Sequence, residues 1–87
     1  MEATIEISLY PLLQKNKQEN YKNIVLDFLE TIKKNKSISI ETNGLSSIIY
    51  GNYDDIIKLF STEIKFFIKK HTSVFVFKLA KGKFKYS

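Results

Sequence analysis

The sequence predicts an α+β domain whose elements run β-α-β-β-α-β. Three observations predict it. Two segments carry apolar residues at helical spacing, each flanked by alternating strand-like segments; an Asn-Gly pair joins the two middle alternating segments; and the chain closes, as it opens, on an alternating apolar run. Eighty-seven residues hold one such unit, over positions 1–87, with a modest core that a second subunit could extend.

The first strand is Thr4 to Tyr10, with Ile5, Ile7 and Leu9 on one face and Thr4, Glu6, Ser8 and Tyr10 on the other. Pro11, which lacks a ladder donor, ends it, and the polar stretch QKNKQEN reads as a loop. From Tyr21 onward, Ile24, Val25, Phe28, Leu29 and Ile32 form one helical stripe, with Asn20 as its N-cap and Lys33, Lys34 and Lys36 near its C-terminus. The segment SISIET alternates around Ile38 and Ile40, and Asn43-Gly44 suits a type I′ turn into the third strand. There Leu45, Ser47 and Ile49 share one face, while Ser46, Ile48 and Tyr50 share the other, so apolar residues fall on both sides. Gly51 ends that strand. Asn52 caps the second helix, with Asp54 and Asp55 in its first turn, and Ile56, Ile57, Phe60, Ile64, Phe67 and Ile68 supply its apolar face up to Lys69, Lys70 and His71. The last strand, SVFVFKL, sets Phe75, Phe77 and Leu79 against Val74, Val76 and Lys78, and the basic tail AKGKFKYS extends it or frays.

This order is the split βαβ, or ferredoxin-like, arrangement: a four-stranded antiparallel sheet with two helices on one face. One sheet face is then left open, although the third and fourth strands carry apolar side chains there. A second copy of the chain is the simplest cover, so a homodimer or homotetramer built through the sheet is expected.

Composition narrows the function. The chain has no cysteine, which excludes disulfides and thiolate metal sites and fits a cytoplasmic location. Polar residues break every apolar run, so neither a secretory leader nor a membrane span is predicted. The net charge of +5 comes from 14 lysines and no arginine, the side chain best suited to phosphate and guanine, and it reads as a solvated surface rather than a nucleic-acid footprint. The third strand, LSSIIYG, also lacks the aromatic pattern with which RNA-recognition sheets stack bases.

No catalytic constellation is visible, and an enzyme is not expected. The single histidine, His71, stands at a helix end; Asp54 and Asp55 are placed to cap; and the serines have no base in any nucleophile motif. What remains is a small-molecule patch. Ser8 and Tyr10 of the first strand and Ser46 or Ser47 with Tyr50 of the third, its neighbour in this topology, offer hydroxyls and rings to a polar ligand.

The segments TIEISLYPL, SISIETNGLSSIIYGNYDD and SVFVFKLAKG, taken in order, resemble the single-repeat members of the thiamin-binding, YkoF-like family. The family pattern opens on an I-S-L-Y-P-L strand, and its central motif is matched by Ile40, Glu41, Gly44, Leu45, Ser46, Ser47, Ile49, Gly51, Tyr53 and Asp54, with serine in place of the favoured threonine at position 47. The resemblance implies a ferredoxin-like homo-oligomer that binds thiamin or its hydroxymethylpyrimidine portion without catalysis or cofactor. Ser8, Tyr10, Ser46, Ser47, Tyr50 and Asp54 are the expected contacts: hydroxyls for the polar edge of the ring, tyrosines for its face, and the carboxylate for an amino group or positive charge. Glu6 and Glu41 are further carboxylates that could offset the charge of a thiazolium. The competing reading is a ligand-free assembly or regulatory module that uses the sheet only for self-association; single-stranded RNA binding is a third.

Overall fold

Every second residue from Ala3 to Leu9 is apolar, and Ile5 and Ile7 at the centre are β-branched, which suits a pleated strand with one face turned to a core. The computed structural model, which describes residues 1–12, 21–43 and 46–83, places these side chains at the centre of a four-stranded antiparallel sheet. The elements are β1 (Glu2–Pro11), α1 (Tyr21–Lys33), β2 (Ile38–Thr42), β3 (Ser47–Asn52), α2 (Tyr53–Ser61), α3 (Glu63–Lys70) and β4 (Ser73–Lys81). The strand order is β2-β3-β1-β4, so both helical crossovers lie on one side of the sheet, as the ferredoxin-like arrangement requires.

Register decides which side chains meet the helices. Ile5 stands opposite Ile49 on β3 and Leu79 on β4, and Ile40 stands opposite Ile49 from β2. Against this face α1 sets Ile24, Phe28 and Ile32, α2 sets Ile56 and Leu59, and α3 sets Ile64 and Phe67. Phe28 is the hinge of the packing: its ring centroid is 5.2 Å from that of Phe67, edge-on, and 5.3 Å from that of Phe75. One buried aromatic thus joins both helical crossovers to β4.

Four sequence expectations need correction. β1 runs through Pro11, which pairs with Ser73; β3 pairs only Glu2 to Ile7, so at Pro11 the strand has one neighbour and a residue without an N–H is tolerated. Gly51 does not end β3 but lies in the ladder between Ala3 and Ile38, where an added Cβ would stand 3.2 Å from Ile38 Cγ2. The second helix is broken at Thr62, whose backbone leaves the helical region (φ −116°, ψ −96°). The Ser61 hydroxyl donates to the Lys58 carbonyl at 3.1 Å, and the Thr62 hydroxyl is shared between that carbonyl, at 2.8 Å, and the Glu63 carboxylate, so side chains join the backbone bonding at the break. Finally, Leu59 is fully buried while Ile57 and Ile68 are exposed, each about 100° around its helix from the core stripe.

Asn52 caps α2 as expected, its side chain accepting from the Asp54 N–H at 3.1 Å. β2 and β3 pair as a hairpin, and the Asn43 side chain accepts from the Ser46 N–H at 2.9 Å across its loop. The Asn20 cap, the loop before α1, the Asn43-Gly44 turn type, the place of Leu45 and the tail from position 84 lie outside the described residues.

Candidate functional site on the open sheet face

Alternation that sends Ile5, Ile7 and Ile49 to the helices sends Glu6, Ile48 and Tyr50 to the opposite face. Two cross-strand rows organise that face. In one, Glu41, Ile48, Glu6 and Lys78 stand side by side across all four strands; in the other, Ser39, Tyr50, Thr4 and Ala80 do so. An apolar residue therefore sits between two carboxylates, one strand away from each.

The polar bonds of this row are long. Ser46 Oγ donates to Glu6 Oε2 at 3.4 Å, Lys78 Nζ is 4.0 Å from Glu6 Oε1, and the Tyr50 hydroxyl donates to Glu41 Oε2 at 3.5 Å. A charge-assisted bond normally closes to about 2.7–2.9 Å, so Ser46 and Lys78 hold Glu6 only loosely. Beside them Glu41, Thr42, Asn43, Ile48 and Tyr50 line a cavity of about 300 Å³.

Tyr50 is only 6% exposed although no helix covers it. The end of β4 supplies the cover. Gly82 adopts φ 92°, a conformation open to glycine, and its N–H donates to the Glu2 carbonyl at 2.8 Å while its own carbonyl accepts from Thr4 Oγ1 at 2.7 Å. The chain is thereby turned so that Lys83 Nζ lies 5.6 Å from the centroid of the Tyr50 ring. The glycine in AKGK was the one local sign of this turn; the pairing of Thr4 with Gly82 spans nearly the whole chain and has no sequence signature.

The six expected contacts do not all meet. Tyr50 and Ser46 flank the row of carboxylates. Ser8 and Tyr10 share the same face further along β1, opposite Val76 and Val74, where Tyr10 is 49% exposed. Ser47 is buried opposite Ile7, in phase with Ile49, and so belongs to the helix side. Asp54 is exposed in the first turn of α2 and lines none of the cavities bordered by Tyr50.

Elsewhere, His71 ends α3 with its N–H bonded to the Phe67 carbonyl, and its Nε2 lies 3.8 Å from Asp27 Oδ2, on the helix side. Among the described residues no cluster of three or more His, Cys, Asp or Glu side chains could hold a metal ion, and no helix is long and apolar enough to cross a membrane.

No protein-family model matches the sequence, and no curated protein matches it. Solved structures do. The chain is similar to protein SP2199 from Streptococcus pneumoniae (TM-score 0.76, 12% identity, covering 95% of this chain and 89% of that one). It is similar to the Thermotoga maritima protein TM0486, provisionally described as a thiamine biosynthesis/salvage protein (TM-score 0.76, 11% identity, 94% and 85% covered). It is also similar to the hypothetical protein MJ1052 from Methanocaldococcus jannascii (TM-score 0.73, 23% identity, 98% and 84% covered). At these identities the likeness establishes the fold.

Proposed function

We propose that the chain is a non-catalytic binding protein for thiamin or its hydroxymethylpyrimidine portion, acting as a homo-oligomer of the YkoF-like kind. The observation that carries this reading is the grouping of Glu6, Glu41, Ser46 and Tyr50 around Ile48 beside a cavity of about 300 Å³. That size lies at the lower end of ligand pockets, roughly 300–1,000 Å³. Ile48 offers an apolar floor, Tyr50 a ring edge and hydroxyl, and the two carboxylates acceptors for an amino group or compensation for a cationic ring. The shared fold with a protein provisionally described as acting in thiamine biosynthesis or salvage supports the same ligand class.

Assembly has its own support on this face. Val74 and Val76 of β4 and Tyr10 of β1 are large side chains left 43%, 52% and 49% exposed, on the same face just beyond the Glu6–Lys78 pair. A second copy of the chain is the cover that the oligomeric reading supplies, leaving the surface around Glu6, Glu41 and Ile48 for the ligand.

Calorimetric titration of two single variants with thiamin tests the reading. Ser46→Ala removes a hydroxyl beside Glu6 and is expected to weaken binding by about tenfold, the loss of one hydrogen bond. Ser47→Ala, on the helix side, is expected to bind as the parent does. The reverse pattern would move the site off the open face.

A further inference from the structure

Tyr50 borders two cavities of opposite electrical character. One is the carboxylate cavity described above. The other, about 190 Å³, lies at the end of the sheet where β1, β2 and β3 meet, lined by Tyr50 and with donors from Lys36, Ser37, Ser39 and Lys83. Glu2 is the single carboxylate among its described lining residues, against two lysines. At 190 Å³ it falls below the roughly 300 Å³ at which pockets begin to hold whole ligands, so it suits a group rather than a molecule.

Resting on the ligand class proposed above, we propose that this second cavity takes the phosphate of a phosphorylated ligand whose cationic ring lies on the other side of Tyr50. The chemistry of the lining fits a phosphomonoester. Two ammonium groups supply charge, the Ser37 and Ser39 hydroxyls can donate, and neither lysine is held in an ion pair with Glu2. Lys83 is set over the Tyr50 ring by the Gly82 turn, with its Nζ 5.6 Å from the centroid, and Lys36 immediately precedes the two serines at the start of β2. A ligand spanning Tyr50 would therefore meet carboxylates at one end and ammonium groups at the other, which selects a molecule carrying both charges over a neutral pyrimidine.

The test compares thiamin, thiamin monophosphate and inorganic pyrophosphate by calorimetry, on the parent protein and on Lys36→Gln with Lys83→Gln. The proposal expects thiamin monophosphate to bind about tenfold more tightly than thiamin, an advantage over thiamin that the double variant erases. Equal or weaker binding of the phosphorylated form overturns the phosphate site and leaves the thiamin reading standing. Pyrophosphate binding that is lost in the double variant, with no binding of thiamin, keeps an anion site but overturns the ligand class on which the proposal rests. Binding of none of the three overturns both.

Discussion

Glu63 sits partly buried in the first turn of α3, accepting from Asn35 Nδ2 at 2.8 Å and from the Thr62 hydroxyl. Burial pushes its carboxyl upward, but the bonds from Thr62, Asn35 and its own backbone, with Lys58 nearby, together hold it below the ordinary value of 4.5. A depressed carboxylate stabilises the fold above its unfolded value and loses that contribution as pH falls through its folded one. Glu63→Gln is therefore expected to destabilise the protein by about 0.5–1 kcal/mol at neutral pH, a small amount because the group is solvent-accessible. Urea denaturation at a series of pH values should show the two proteins converging below pH 4.5, where the parent loses its charge. At this scale the sequence was most informative where alternation applies. Glu6, Ser8 and Tyr10 fall on the open face because Ile5, Ile7 and Leu9 cannot. The same phase, carried from the core residue Ile49, separates Ser46 from Ser47. What could not be read was the covering of Tyr50, because it depends on Thr4 meeting Gly82 from the far end of the chain.

Among the elements, α1 and α3 owe their positions to one aromatic cluster. Phe28, Phe67 and Phe75 meet pairwise with centroids 5.2, 5.3 and 6.0 Å apart, so α1, α3 and β4 are locked through three rings. Phe28→Ala is expected to cost about 3–5 kcal/mol, a cavity cost large enough to unfold a protein of this size. Thermal melting followed by circular dichroism checks it, and a shift of only a degree or two would show that the cluster carries little of the stability. The strand and helix order was legible from hydrophobic period alone, since each element keeps one phase over its length. The break at Thr62 was not, because neither glycine nor proline marks it. Its cause is two neighbouring hydroxyls that turn back onto one carbonyl, a signal as common in helices that continue.

For the molecule as a whole, the open face divides into a carboxylate-bearing half around Ile48, flanked by Glu41 of β2 and Glu6 of β1, and an apolar half where Val74 and Val76 of β4 adjoin Tyr10. If the apolar half joins copies, a charge there should split them without touching the core. Val76→Asp is expected to sediment as a monomer while the parent sediments as a dimer or tetramer, with unchanged far-ultraviolet circular dichroism. Equal sedimentation of the two proteins would remove the β4 side of the face from the interface. The lysines at positions 78 and 81 lie on β4, an edge strand, and oppose edge-to-edge pairing there.

The measurement that bears most directly on the proposed function is calorimetric titration of the parent protein with thiamin and, separately, with hydroxymethylpyrimidine, at physiological salt and at two temperatures. The account predicts saturable binding of at least one of them, with one ligand per subunit or per interface. An absence of heat at both temperatures with either molecule would contradict it, and would leave an oligomeric module whose open face serves assembly alone.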